Sequence, residues 1–187
     1  MAKPQVTVMS GYGINCEEET KFAFETFEQL GAKGNIVHIN DLIASKMLDA
    51  QILVFPGGFS YGDDTGSGNA YANRVRNHLW DIVLEFVQKD HLVIGICNGF
   101  QIIANLGLVP AIDGKYGERS VALTHNNLAR YSDRWVDIQF YGDSPWVRNL
   151  DVVSMPIAHG EGRFFTEPDT LKVIQNKKLV AGRGVGQ

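Results

Sequence analysis

Over the first 110 residues, apolar positions switch between short continuous runs and a helical period, the pattern of strands alternating with helices. Residues 5–10 (QVTVMS) predict a strand, followed by the turn Gly11-Tyr12-Gly13 and a helix that opens on Glu17, Glu18 and Glu19. Those acids complement the positive end of the helix dipole. Ala23, Phe24, Phe27 and Leu30 recur at helical spacing, Phe22, Phe24 and Phe27 read as core, and Gly31 or Gly34 ends the helix before a β-like run at 35–39. Residues 51–55 (QILVF) predict a third strand, stopped by Pro56-Gly57-Gly58. After a long loop, Val75, Leu79, Ile82, Val83, Phe86 and Val87 mark one face of a second helix. Residues 92–96 (LVIGI) predict a fourth strand with almost no polar alternation, as expected where helices cover both faces of a parallel sheet, and a helix follows from Gly99 to about Leu106.

This order predicts an α/β fold: a doubly wound, mostly parallel sheet with helices on both faces and ligands bound outside the carboxyl ends of the strands. After Pro110 the pattern changes to short strand-like pieces near 120–124, 134–140 and 152–157, joined by hairpin-like turns. These read as β additions to the same domain in the C-terminal third. A chain of 187 residues with 44% hydrophobic content fits one such domain with a sizeable core.

A net charge of −4 without a Lys/Arg block points away from nucleic acid and from anionic membrane surfaces as partners. No apolar run approaches the ~20 residues that would cross a bilayer. With Cys16 and Cys97 as the two cysteines and an N-terminus that runs straight into a strand, the expected compartment is the reducing cytoplasm.

Candidate chemistry centres on Gly95-Ile96-Cys97-Asn98-Gly99, where a buried-strand run stops and a helical pattern begins. A side chain held at a sharp strand-to-helix turn needs small flanking residues, and the first free N–H groups of the helix favour a thiolate there. A cysteine without this frame is most simply a small buried hydrophobe, whereas the frame selects Cys97 as a nucleophile. Pro56-Gly57-Gly58 alone is a plain strand-ending turn. Paired with a cysteine elbow on the same sheet it becomes an oxyanion hole, with the N–H groups of Gly58 and Asn98 as donors.

The segments FPGGFSYGDD, GICNGFQIIANLGLVP, RYSDRWVDI and PIAHGEGRF, in this order and spacing, closely resemble the class I glutamine amidotransferase domain of phosphoribosylformylglycinamidine synthase. The resemblance runs from the Asn15-Cys16-Glu17 turn to about Phe164 and implies a flavodoxin-like sheet. It implies glutamine hydrolysis through a Cys97 thioester, with Gly57, Phe59 and Gln101 assigned to substrate binding and His159 and Glu161 to support. Ammonia would pass to a synthetase partner that converts formylglycinamide ribonucleotide to the amidine. ATP and magnesium belong to that partner, and this chain takes no metal or other cofactor.

Class I members complete the nucleophile with a histidine and a glutamate from a later His-Pro-Glu-like motif, and no histidine follows Phe164 here. The expectation is therefore a single amidotransferase domain over residues 1–187 that lacks the C-terminal part of a longer glutaminase and is inactive as it stands. The initiating methionine just ahead of the first strand favours a separate subunit. Two alternatives accompany this reading: a non-catalytic amidotransferase-like assembly module, and a cysteine hydrolase of the related stress-protein type.

The remaining candidates read as structural. His38 at a strand end, His78 on the polar side of a helix and His91 in a turn are solvated or capping residues without metal-ligand spacing to the cysteines. Cys16 sits at a helix start, where its pKa could be depressed, but it has no elbow; Trp135 reads as strand packing. Residues 126–131 (NNLARY) depart from the Ser-Gly that the family carries before Arg-Phe in this loop, which leaves them out of the site.

Overall fold

The computed structural model describes residues 3–26, 31–63, 66–142 and 144–185, which form two compact units, Met1–Leu108 and Val109–Gln187. Among the described residues no helix is long and apolar enough to cross a membrane.

In the first unit, β1 (Gln5–Ser10), β2 (Lys33–His38), β3 (Ile52–Phe55) and β4 (Leu92–Gly95) form a parallel sheet in the order β2-β1-β3-β4. The helices are α1 (Glu17–Thr26), α2 (Ile39–Ser45), α3 (Asn69–Gln88) and α4 (Asn98–Leu106). Right-handed crossovers put α1 on one face and, after the reversal of strand order at β1, α2 and α3 on the other, where α4 packs against α3. Val6, Val8, Ala32 and Val54 form a buried cluster, with Phe24, Ile36, Ile52 and Ile94 packed against it. Full burial of each valine stabilises the unit by about 1.5–3 kcal/mol. On α3 the buried positions Ala72, Val75, Leu79, Val83 and Phe86 repeat at helical spacing, as the sequence pattern requires.

Ile39 opens α2 instead of closing β2. This short helix has no periodic signal of its own; His38 starts it by accepting the Asn40 N–H at its Nδ1 (3.2 Å), and Lys46 (φ 55°) ends it. Phe22 is 66% exposed and Ala23 is exposed as well, because α1 presents a narrow buried face to the sheet; Phe27 and Leu30 lie outside the described residues. Strand β4 is only half-buried, because it stands at the end of the sheet order with β3 on one side. His91 is half-buried: its ring packs edge-on against Phe86 at 4.7 Å, and among the described residues its buried Nδ1 has no partner.

The second unit contains two antiparallel sheets. One pairs β5 (Ala122–Thr124) with β8 (Arg163–Phe165), and the other has the order β7-β6-β9, formed by β6 (Ser132–Phe140), β7 (Val152–His159) and β9 (Gly182–Val185). Helix α5 (Pro168–Asn176) starts on a proline, whose fixed φ suits a first helical position, and buries Ile174. Neither α5 nor β9 was marked by the sequence reading. Trp135 stands opposite Pro156 on β6 but is 70% exposed, so it does not pack the strand as expected.

One close approach in the first unit fixes where the chain turns. A methyl group on Gly99 would lie 1.7 Å from the Phe55 carbonyl oxygen and 2.4 Å from its carbon, backbone atoms that cannot give way. We expect Gly99→Ala to lower the stability of the unit by about 3 kcal/mol, the upper end of the usual cost of overpacking. In urea unfolding, Gly184→Ala, whose added carbon meets nothing within 4 Å, should change stability by under about 1 kcal/mol.

Candidate active site

Strand β4 ends at Gly95, and the Ile96 N–H extends the pairing by one bond to the Phe55 carbonyl (3.0 Å). Cys97 then adopts φ 53° and ψ −114°, neither strand nor helix, while its carbonyl already accepts the N–H groups of Phe100 (3.0 Å) and Gln101 (3.2 Å). Its backbone is thus captured by α4 and its side chain is left exposed and outside any disulfide. Such a conformation costs about 1–3 kcal/mol and persists because strand and helix hold both sides of it. This is the elbow that the sequence pattern predicts.

The Pro56-Gly57-Gly58 turn comes beside it. A carbon placed on Gly57 would lie 3.6 Å from Cys97 Cβ and 3.3 Å from Cys16 Sγ, so the turn runs between the two cysteines. The loops after β1 and β3 are zipped together through an isolated antiparallel bridge between Ile14 and Gly58. Its bonds run from Asn15 N–H to Gly57 O (3.4 Å) and from Phe59 N–H to Gly13 O (2.8 Å). That register leaves the Gly58 N–H out of the bridge. Gly58 also carries φ 150°, and a Cβ there would meet Gly13 O and Ile14 Cα at 2.7 Å.

Two backbone donors therefore stand unused near the nucleophile. Among the described residues, the N–H groups of Gly58 and Asn98 donate to no acceptor, although both residues are buried. Buried unpaired N–H groups are uncommon, and at the edge of a sheet they form a ready receptor for negative charge on oxygen. Phe59, beside them, is 49% exposed. Gln101 is buried on α4, and its side-chain oxygen accepts the Asn98 Nδ2 at 2.9 Å.

Around the loop, Tyr12 and Tyr61 stack at 4.9 Å, Arg74 lies 5.3 Å from the centre of the Tyr12 ring, and Asn40 joins Tyr12 Oη (2.8 Å) to Arg74 (2.5 Å). The sequence alone does not single out this cluster, because its members come from four separated segments. Tyr71 is wholly buried, donates its hydroxyl to Ser10 O (3.1 Å), and burial drives its ionisation far above the ordinary phenol range. Glu17 does more than complement the helix dipole: its Oε1 accepts the Ser10 hydroxyl (2.9 Å), while among the described residues its buried Oε2 has no partner.

Cys16 differs chemically from Cys97. It is half-buried, its sulfur donates to Asn15 Oδ1 (3.4 Å), and its carbonyl anchors α1 through Thr20. Burial first, then the charges of Glu19, Cys97 and Glu17, push its thiol pKa up rather than down. The helix start does not activate it.

His159 and Glu161 belong to the second unit. Asn126 organises this segment: its Nδ2 donates to the carbonyls of His159 (2.8 Å) and Arg130 (2.8 Å), and its Oδ1 accepts the Gly162 N–H (3.2 Å). With the amide so oriented, His159 Nδ1, 2.9 Å from Asn126 Oδ1, must be the protonated nitrogen. Glu161 lies 3.5 Å from His125 Nδ1. Asn126, set aside in the sequence reading, is thus the hub of the segment; its capacity to satisfy several backbone groups at a turn was the available signal. Among the described residues no group of three or more His, Cys, Asp or Glu is placed to hold a metal ion.

Known proteins resemble this chain along nearly its whole length. Residues 3–187 match the model of a CobB/CobQ-like glutamine amidotransferase domain. The chain is 52% identical over 181 residues to the phosphoribosylformylglycinamidine synthase subunit PurQ of Methanococcus maripaludis strain C7, covering 95% of this chain and 65% of the relative. It is 36% identical over 180 residues to the subunit of the same name from Dehalococcoides mccartyi, covering 94% of this chain and 69% of the relative. Among solved structures, that of PurLQS from Thermotoga maritima matches all of this chain and 76% of its own with a TM-score of 0.75 at 26% identity. The chain spans about two thirds, 65%, of the length of the Methanococcus relative. It belongs to the CobB/CobQ-like glutamine amidotransferase family, in the branch of the PurQ subunits of phosphoribosylformylglycinamidine synthase.

Proposed function

We propose that this chain carries the nucleophile and oxyanion donors of the glutaminase component of a phosphoribosylformylglycinamidine synthase. The observation that supports it most is an exposed Cys97 in a strained elbow, beside a turn whose Gly58 N–H, like that of Asn98, has no acceptor among the described residues. The Cys97 thiolate attacks the side-chain amide carbon of glutamine, and the carbonyl electrons move onto oxygen, where the two N–H groups receive them. Collapse of this intermediate expels ammonia and leaves a thioester; water then releases glutamate and restores the thiol. Gly57 and Phe59 flank the substrate, and Gln101 supports the wall behind it through Asn98.

Ammonia then passes to a synthetase partner, where ATP and magnesium activate the amide oxygen of formylglycinamide ribonucleotide for replacement by nitrogen. No step in this chain calls for a metal. This assigns the chain to purine biosynthesis in the cytoplasm, with His159 and Glu161 as supporting groups of the second unit.

The departing amine must be protonated, and no histidine follows His159 in the sequence. Glutamine turnover by these 187 residues alone should run at least about 10²-fold slower than that of a Methanococcus relative assayed beside it, the usual worth of a placed acid–base group. An activated ester needs no such proton. With para-nitrophenyl acetate we expect a burst of nitrophenolate and an acetyl group on the Cys97 peptide by mass spectrometry. Cys97→Ala should remove the burst and, in the assembled enzyme, lower glutamate release by at least about 10³-fold. Glutamate release that survives Cys97→Ala, or acetylation of Cys16 in its place, would exclude the proposal.

The burial of Cys16 should also show in its pH dependence. Because its pKa is raised, Cys16 carries less thiolate than an ordinary thiol at any pH below that range. Its iodoacetamide alkylation should therefore still be climbing at pH about 8.5, where half of a typical cysteine is ionised. A Cys16 rate that has levelled off by that pH would contradict the burial argument.

A further inference from the structure

The loop that carries Gly58 is under strain where it leaves the site. Tyr61 (φ 56°), Gly62 (φ 69°) and Asp63 (φ 58°) stand in succession in the left-handed region, a run in which only the glycine is at ease. A loop of this kind keeps one shape only where its surroundings over-determine it. Its near end is fixed by the bridge to Ile14 and by the Tyr61 N–H to Tyr12 O bond (2.6 Å). Toward the nucleophile, one side chain reaches it with two hydrogen bonds.

That side chain is Asn98, the residue after Cys97, which is 1% exposed. Its Oδ1 accepts the Ser60 N–H at 3.1 Å, and its Nδ2 donates to Asp63 Oδ1 at 3.3 Å and to Gln101 Oε1 at 2.9 Å. Both amide hydrogens and the amide oxygen are thereby engaged, two of the three bonds reaching the strained loop and the third tying the amide to α4. Ser60 is two residues past Gly58, so a bond to its N–H limits how the Gly58 peptide can turn relative to the elbow.

We propose that the Asn98 side chain is a positioning residue for the oxyanion site: it clasps the loop after β3 to the first turn of α4 and so sets the Gly58 N–H against Cys97. The inference rests on the reading of Cys97 and Gly58 given above. Asn98 then has two separable tasks, a backbone donor of its own and a side chain that aims the other donor.

Two reagents distinguish aiming from mere support. Attack on an ester carbonyl builds an oxyanion and feels the donors, whereas displacement of iodide from iodoacetamide occurs at a saturated carbon and does not. In the full chain, Asn98→Leu removes all three bonds at similar volume. We expect Cys97 acetylation by para-nitrophenyl acetate to slow about 10- to 100-fold, short of the full loss of a donor, while alkylation by iodoacetamide stays within about threefold. In the assembled enzyme the loss should appear in kcat for glutamine with KM little changed. Equal slowing of both reagents would mean a deformed elbow and would overturn the proposal.

A charge exchange keeps the test decisive if Asn98→Leu does not fold. Asn98→Asp sets a carboxylate against that of Asp63 and should slow acetylation; adding Asp63→Asn restores a donor–acceptor pair with its polarity reversed. Recovery of acetylation to within about fivefold of the parent is expected, in keeping with the coupling of residues in one network. An exchange variant no faster than Asn98→Asp alone would refute the clasp. If the parent chain is not acetylated at Cys97 at all, the failure lies instead with the reading of the nucleophile.

Discussion

The geometry of the first unit depends on the close approach of α4 to the end of β3. The Phe55 carbonyl accepts the N–H of Ile96 and at the same time faces Gly99 at a distance that admits a hydrogen atom but no carbon. The chain must pass from one to the other across two residues, of which the second already opens α4, and the first takes the conformation that remains. That residue is Cys97, and its φ of 53° follows from its neighbours. Packing of two backbones thus lifts the sulfur out of the sheet and into solvent, at a local cost that the hydrophobic core beneath easily offsets.

A second constraint builds on the first. Loops leaving β1 and β3 diverge on either side of the point where strand order reverses, the usual place for a ligand in an open α/β sheet. Here the two loops are bridged through Ile14 and Gly58 and stacked through Tyr12 and Tyr61, so the crevice is lined by fixed backbone. Fixed donors suit a reaction whose charge appears on oxygen only transiently, since no reorganisation is needed when it arrives. The same rigidity separates the cysteines: the sulfur in the elbow is exposed, while the one at the α1 start is half-buried among acids that hold its proton.

Much of this was legible in the sequence because it rests on local rules. Strand patterns mark β1, β3 and β4 to within a residue, the period of α3 marks its buried face, and glycines on both sides of Cys97 announce the elbow. What escaped depends on tertiary context. Helix α2 is too short to show a period, Phe22 matched the apolar spacing of α1 but faces solvent, and Trp135 lies on a strand whose outer face is uncovered. The side-chain bonds of Asn98 and Asn126 were invisible for another reason. An asparagine shows its chemistry only when the groups it can satisfy are known, and those groups are backbone atoms far away in the sequence.

The central claim is that glutamine becomes covalently bound to the sulfur in the elbow. The most direct measurement mixes the assembled enzyme with glutamine, quenches in acid within milliseconds to seconds, and maps the adduct by peptide mass spectrometry. The account predicts a glutamyl group, the mass of glutamine less ammonia, on the peptide bearing Cys97 and on no other. Glutamate accumulating with no adduct at any time, together with an unaltered yield from Cys97→Ala, would contradict it.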